Sequence, residues 1–89
     1  MQSQDEASVG QNLREPTYGE QAVGITFNPA NDPVVQKLKT LYAEIIDICD
    51  TERKNINAMP GEKARLLSVA ITEAQTAQMW AVKGVTYKS

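Results

Sequence analysis

The chain has 89 residues, with nine basic and eleven acidic side chains and a formal net charge of −2 at pH 7. This length allows one small domain, and small units often gain stability by oligomerising. The charge balance argues against binding to DNA or RNA polymers or to anionic membranes, because such binders carry a basic surface. The single cysteine excludes an intrachain disulfide and fits a reducing compartment.

The N-terminal part of the chain reads as a flexible segment followed by an arm. Residues 1–12 are polar and expected to be flexible, whereas residues 13–89 are expected to form the domain. The start lacks the basic and apolar regions of a signal peptide, and no stretch is apolar enough to span a bilayer. A short helical turn is predicted over residues 19–23. An extended arm is predicted over residues 24–29, because Pro29 disfavours helix at the residue before it. The sequence thus predicts a soluble cytosolic protein.

A first long helix is predicted from Pro33 to about Arg53. Asp32 can cap its free amides, and proline suits the first helical position. Spacings of four and three residues predict an apolar seam made of Val34, Leu38, Leu41, Ile45 and Ile48. On one side this seam is widened by Val35, Tyr42, Ile46 and Cys49.

A second long helix is predicted from about Gly61 to Val85, after a turn that contains Asn57 and Pro60. A connection this short makes the two helices antiparallel neighbours. One side of the second helix is small and apolar, with Leu67, Ala70, Ala74, Ala77, Ala81 and Val85. The alanines in this stripe would let another helix approach closely.

Two helices alone bury too little surface to offset the entropy of ordering the chain. The surplus apolar surface, which includes Val69, Trp80 and Val82, therefore predicts self-association. The expected fold class is all-α. An extended N-terminal arm and an antiparallel two-helix hairpin would assemble into a homo-oligomeric helical bundle.

The sequence does not favour catalysis. It contains no histidine, which is the commonest general base and metal ligand. Cys49 lies on an apolar stripe without an activating partner, so it reads as an inert thiol. The carboxylates Glu44, Asp47 and Asp50 share one helix and read as ordinary solvated pairs. We expect no enzyme, no cofactor and no metal site.

Ligand binding is better supported by the pattern. Arg65 lies early in the second long helix, where free amides and the helix dipole favour anions. Tyr18, close to Arg14, could stack on a base or pack onto a helix. Lys37 lies in the first turn of its helix. The ordinary alternatives are that Arg65 is solvated or ion-paired, that Lys37 is solvated, and that the Tyr18 ring packs onto a helix.

Two stretches carry a resemblance to a known family. The helix sequence RLLSVAITEAQTAQMWA over residues 65–81, and the arm TYGEQAVGITFNP over residues 17–29 leading into residues 34–47, resemble the phage sponge proteins with an anti-CBASS and anti-Thoeris helical hairpin. The resemblance covers about residues 14–83. It implies a homo-oligomer, typically a hexamer, in the cytoplasm of an infected bacterial host.

The resemblance also implies a function and site residues. Such proteins sequester cyclic di- and trinucleotide immune signals, and in some members a glycocyclic ADP-ribose, without cleaving them. Tyr18 and Lys37 match a tyrosine that stacks on a base and a lysine that meets a phosphate. Arg65 matches an arginine of a further pocket, where Ser68 and Thr72 fix the register. Arg14 completes this candidate ligand site. A structural or adaptor oligomer whose polar strip binds a protein is the alternative.

Overall fold

The structure is a computed structural model, and it describes residues 14–55 and 60–88. Within these ranges it contains three helices and no strand: α1 (Tyr18–Val23), α2 (Pro33–Lys54) and α3 (Pro60–Thr86). Each observed boundary lies within one residue of the prediction, so the all-helical fold is confirmed. The flexible segment predicted for residues 1–12 and the turn predicted at Asn57 lie outside the described residues.

Helix α1 is short and is fixed at both ends by its own sequence. At its start the Thr17 hydroxyl accepts from the Glu20 amide, and the Glu20 carboxylate accepts from the Thr17 amide at 2.9 Å. This reciprocal pair satisfies backbone donors that a helix start leaves free. At its end Gly24 has φ 63°, a left-handed conformation that glycine adopts without steric cost.

The connection between α1 and α2 consists of two turns in place of the predicted extended arm. The Phe27 amide donates to the Gly24 carbonyl at 2.8 Å, and the Asn31 amide donates to the Asn28 carbonyl at 2.9 Å. Pro29 does keep Asn28 out of a helix. In these turns the amides of Phe27 and Asn31 are bonded within the chain, whereas an extended arm would leave them free.

Helices α2 and α3 form the antiparallel hairpin, and α1 packs mainly against α2 while also touching α3. Near the connection, Lys63 donates to Glu52 at 3.0 Å and Arg53 donates to Ser68 at 3.0 Å. The small core draws on all three helices, with Val23, Val35, Ala43, Ile46 and Ile71. Helix α2 therefore provides most of the surface against which α1 and α3 pack.

The apolar seam predicted for α2 is not the face that the subunit buries, but the residues predicted to widen it are: Val35 and Ile46 are buried, and Tyr42 and Cys49 are half-buried. The buried positions are Val35, Lys39, Ala43, Ile46 and Asp50. Leu38 is half-buried, whereas Val34, Leu41, Ile45 and Ile48 are exposed, Ile48 to 68%. Each residue turns a helix by about 100°, so the exposed stripe lies nearly opposite the buried one. The cause is the placement of α1, whose Gly19 lies against Ala43 and Asp47 on the buried side.

The stripe of small apolar residues predicted for α3 is only partly buried in the subunit. Ile71 and Gln78 are the buried positions, so they face α2. Leu67, Ala74 and Ala81 are half-buried beside them, while Ala70, Ala77 and Val85 are exposed. Of the predicted interface residues, Val69 and Trp80 are exposed in the subunit, Trp80 to 67%, whereas Val82 is half-buried.

Candidate functional site

The first candidate site lies where the start of α1 meets the last turn of α2. Tyr18 begins α1, and its ring is partly exposed. The Arg53 guanidinium lies 5.4 Å from the ring centroid, and the Lys54 ammonium lies 6.0 Å from it. Both distances are typical of cation–π pairs. We call Tyr18, Arg53, Lys54, Asp50 and Ser68 the Tyr18 cluster.

A buried carboxylate fixes the two cations of the Tyr18 cluster. Asp50 accepts from Arg53 at 3.0 Å and from Lys54 at 2.9 Å. The hydrogen bond from Lys54 is the main cause that holds the pKa of the Asp50 carboxyl below its usual range. Arg53 and Lys54 together carry one positive charge more than Asp50 neutralises. The cluster therefore combines an aromatic face with a surplus cation.

Ser68 belongs to this cluster, although the resemblance placed it with Arg65 in a further pocket. Its hydroxyl accepts from Arg53 at 3.0 Å, and the residue is half-buried between α2 and α3. Thr72 lies one turn further along α3 and is exposed. The structure thus brings Tyr18 and Ser68 together through Arg53, a contact that the sequence pattern did not indicate.

Arg65 lies on the exposed side of α3, in its first two turns. It donates to both carboxylate oxygens of Glu62, at 3.0 and 2.6 Å. This bond lowers the pKa of Glu62 and raises that of Arg65. Both side chains are well exposed, so water and salt screen their attraction. A phosphate can therefore replace Glu62 as the partner of Arg65.

Lys37 lies far from Tyr18 within one subunit. It is exposed near the start of α2, whereas Tyr18 lies beside Arg53 at the other end of that helix. The interval from Lys37 to Arg53 corresponds to about 24 Å along a helix axis, at roughly 1.5 Å per residue. A pocket that combines Lys37 with Tyr18 therefore needs two subunits.

Arg14 has a partner that the sequence did not reveal. It donates to both oxygens of the Glu20 carboxylate, at 2.8 and 2.7 Å. This bond, with the amide of Thr17, lowers the pKa of Glu20 to about 2. Arg14 and Glu20 also line a cavity of about 400 Å³ in front of α2. Because Glu20 neutralises Arg14, this cavity has less attraction for an anion than Arg14 alone would give it.

Sequence reasoning missed Arg53, Lys54 and Asp50 as parts of a site. Cations in the last turn of a helix are common, because they interact favourably with the negative end of the helix dipole. Their spacing of three and four residues from Asp50 does predict the ion pairs. Nothing in the sequence predicts that Tyr18 lies on them, because this depends on the packing of α1 against α2.

The comparisons with known proteins concern the hairpin. No curated protein and no solved structure matches the chain. The residues described include no helix that combines the length and apolarity needed to cross a membrane. A family model with the description "Acb2/Tad1, hairpin domain" matches residues 20–86, from α1 to the end of α3. Arg14 and Tyr18 precede this match. Since the match spans most of the chain and the fold is helical throughout the described residues, the chain belongs to the Acb2/Tad1 hairpin family, the anti-CBASS and anti-Thoeris sponge family.

Proposed function

We propose that this protein binds cyclic nucleotide signals of bacterial antiviral defence and sequesters them without cleavage, in the cytoplasm of the infected host. The ligands are cyclic di- and trinucleotides or a glycocyclic ADP-ribose. The observation that carries this proposal is the Tyr18 cluster, which offers an aromatic face and surplus positive charge at one place. Membership of the sponge family agrees with it.

The cluster suits a base and a phosphate together. A base can stack on Tyr18, which is worth about 1–3 kcal/mol in single-stranded nucleic-acid binding. Lys54 is mostly exposed, so it can leave the ring and follow a phosphate. Arg53 is held by Asp50 and Ser68, and an arginine fixed in this way is well suited to bind phosphate.

Sequestration fits the cluster better than cleavage does. Asp50 already accepts from Arg53 and Lys54, and the neighbouring Asp47 accepts from the Gly19 amide. The bonds from Lys54 and Arg53 lower the pKa of Asp50, so Asp50 is a weak proton acceptor near neutral pH. We therefore propose a binding protein that performs no catalysis and needs no cofactor or metal.

We further propose that the protein acts as a homo-oligomer, with the hexamer as the expected state. The hairpin face opposite α1, here called the outer face, consists of Val34, Leu41, Ile45 and Ile48 on α2 and Leu66, Ala70 and Ala77 on α3. These residues are exposed in the subunit. Large exposed apolar patches mark interaction surfaces, and the two alanines permit close helix packing. A neighbouring subunit could also bring Lys37 to the Tyr18 cluster.

The decisive experiment is to incubate the protein with cyclic nucleotides, remove free ligand, denature the complex and identify what is released by chromatography. Recovery of intact ligand supports sequestration, whereas altered ligand indicates an enzyme. Absence of any bound ligand favours the adaptor alternative. Calorimetry of Tyr18→Leu is expected to show affinity about 10–100-fold weaker. Tyr87→Leu is the matched control, since Tyr87 is an exposed tyrosine beyond α3.

Arg65 tests whether a further pocket exists. Arg65→Ala is expected to weaken the binding of cyclic trinucleotides and to leave unchanged the binding of the ligand that depends on Tyr18. Light scattering should show that the oligomer persists, since Arg65 is exposed. If both variants lose the same ligand to the same extent, one pocket accounts for all binding.

A further inference from the structure

A cleft of about 680 Å³ lies between the C-terminal end of α1 and α3. Three glutamine side chains, two lysines and a methionine are among its walls: Gln21, Gln75, Gln78, Lys39, Lys83 and Met79. Gln78 lies ten residues beyond Ser68, which is about 15 Å along α3 at roughly 1.5 Å per residue. The cleft is therefore separate from the Tyr18 cluster.

Gln78 is the feature of this cleft that calls for a ligand. It is only 5% exposed and faces α2 in a row that otherwise contains Ile71 and half-buried alanines. Within the described part of the chain, its side-chain amide has no hydrogen-bond partner. A buried amide without a partner is costly, and such groups usually bind water, an ion or a ligand. An apolar side chain would suit packing alone better.

The charge of the cleft indicates what kind of ligand fits. Lys39 is 4% exposed and uses two of its three hydrogens on the carbonyls of Gly24 and Phe27, at 3.0 and 2.6 Å. Lys83 is exposed at the edge of the cleft. No acidic side chain is among the described residues that line it. The cleft therefore favours an anion.

We propose that this cleft binds a purine nucleotide. A glutamine amide offers one donor and one acceptor to a base edge, as in the pairing of glutamine with adenine. The Met79 thioether can pack against the flat face of the base. The exposed ammonium of Lys83 can hold the phosphate. The ligand class rests on the proposed function, while the position of the site adds a pocket that the Tyr18 cluster does not explain.

The test uses adenosine monophosphate with the full-length ¹⁵N-labelled protein. The side-chain amide signals of Gln75 and Gln78 are expected to shift and to saturate at millimolar nucleotide. Gln78→Met should weaken this binding by about tenfold or more, which is the scale of one lost buried hydrogen bond. The same variant should keep or raise the melting temperature, because it removes the unpaired amide. A purely structural Gln78 predicts lower melting and unchanged binding.

Lys83→Ala is the second variant, chosen because an exposed lysine can be removed without harm to the fold. It should weaken adenosine monophosphate binding several-fold and leave adenosine, which lacks phosphate, unaffected. Lys88→Ala, at another exposed lysine beyond α3, is the matched control. Unshifted glutamine signals overturn the proposal. So does wild-type affinity in Lys83→Ala, which decides the matter even where Gln78→Met fails to fold.

A parallel titration with a cyclic dinucleotide separates this site from the proposed function. The Tyr18→Leu variant is expected to lose the cyclic dinucleotide and to keep adenosine monophosphate in the cleft. A protein that binds adenosine monophosphate there but no cyclic nucleotide contradicts the proposed function alone. A protein that binds cyclic nucleotides, but whose Gln75 and Gln78 amide signals do not shift with adenosine monophosphate, contradicts the cleft proposal alone.

Discussion

The two faces of the hairpin differ in the kind of contact that their residues make. On the α1 side, directed polar contacts fix the packing: the Gly19 amide donates to Asp47 at 2.7 Å, and Lys39 donates to two turn carbonyls. The outer face is apolar, and its large side chains Ile45 and Ile48 are exposed. Polar contacts need fixed geometry, whereas apolar burial is non-directional. One face therefore specifies the subunit fold, and the other is suited to association.

The buried and outer isoleucines of α2 give the largest test of this contrast. Ile46 is fully buried, and Ile46→Ala should reduce the free energy of unfolding by about 2–5 kcal/mol at every protein concentration. Ile48→Ala should act only through assembly, so its effect should vanish on dilution to the monomer. Denaturation at several protein concentrations, with mass from light scattering, measures both. Equal effects of the two variants in the monomer would contradict the assignment of the faces.

Gly19 tests the close approach of α1 to α2. A Cβ atom at this position would collide with the backbone carbonyl of Ala43. Gly19→Ala is therefore expected to cost about 1–3 kcal/mol or more and to displace Tyr18 from its cations. Gly84→Ala is the control, because a Cβ there meets nothing within 4 Å and alanine favours a helix. Thermal unfolding followed by circular dichroism compares the two; a Gly19→Ala protein as stable as Gly84→Ala would refute the close contact.

Lys39 and Lys37 form a matched pair on one helix. Lys39→Met keeps the apolar stem but leaves the carbonyls of Gly24 and Phe27 without their donor, at a cost of about 1–3 kcal/mol. Lys37→Met, at an exposed position, should change stability by less than about 0.5 kcal/mol. Urea unfolding measures both values. Equal stability of the two variants would show that the turns do not need Lys39.

The smallest expected effect is the pH dependence of α1. Arg14 and the Thr17 amide lower the pKa of Glu20 to about 2, below roughly 4.3 for a free glutamate. The folded state thus favours ionised Glu20. The contribution of Glu20 to stability is fully present above about pH 5 and is lost as the pH falls toward 2. Amide exchange of α1 at pH 3 and pH 6 should differ in the wild type, after correction for intrinsic rates.

Glu20→Gln should abolish this pH dependence of α1, and Glu62→Gln, on α3, should preserve it. Glu62 serves as the control because its pKa is also lowered, through Arg65, at a distant helix start. A wild type and a Glu20→Gln variant with the same pH response would remove Glu20 as its cause.

The sequence predicted the helices well because their ends depend on local chemistry. The proline after Asp32 and the glycine after Val23 start and stop helices by steric and capping effects within a few residues. The buried face of α2 could not be predicted in this way, since two apolar stripes share helical spacing. The choice between them depends on Gly19 and Lys39, which act across distances of 12–28 residues along the chain.

The candidate site was predictable only in part, for the same reason. Tyr18 and Ser68 were identified from the resemblance, but their common partner Arg53 lies 35 residues after the one and 15 before the other. An aromatic ring and a cation so far apart in sequence give no periodic signal. Their contact follows from the order in which α1, α2 and α3 pack.

Arg53 contacts all three helices: the ring of Tyr18 on α1, the carboxylate of Asp50 on α2 and the hydroxyl of Ser68 on α3. A phosphate that binds Arg53 competes for donors that otherwise join α2 to α3. Affinity for the ligand and the free energy of helix packing are then linked, and thermodynamic linkage is reciprocal. Any neighbour that presses α3 onto α2 would change ligand affinity, and the ligand would change the strength of that association by the same factor.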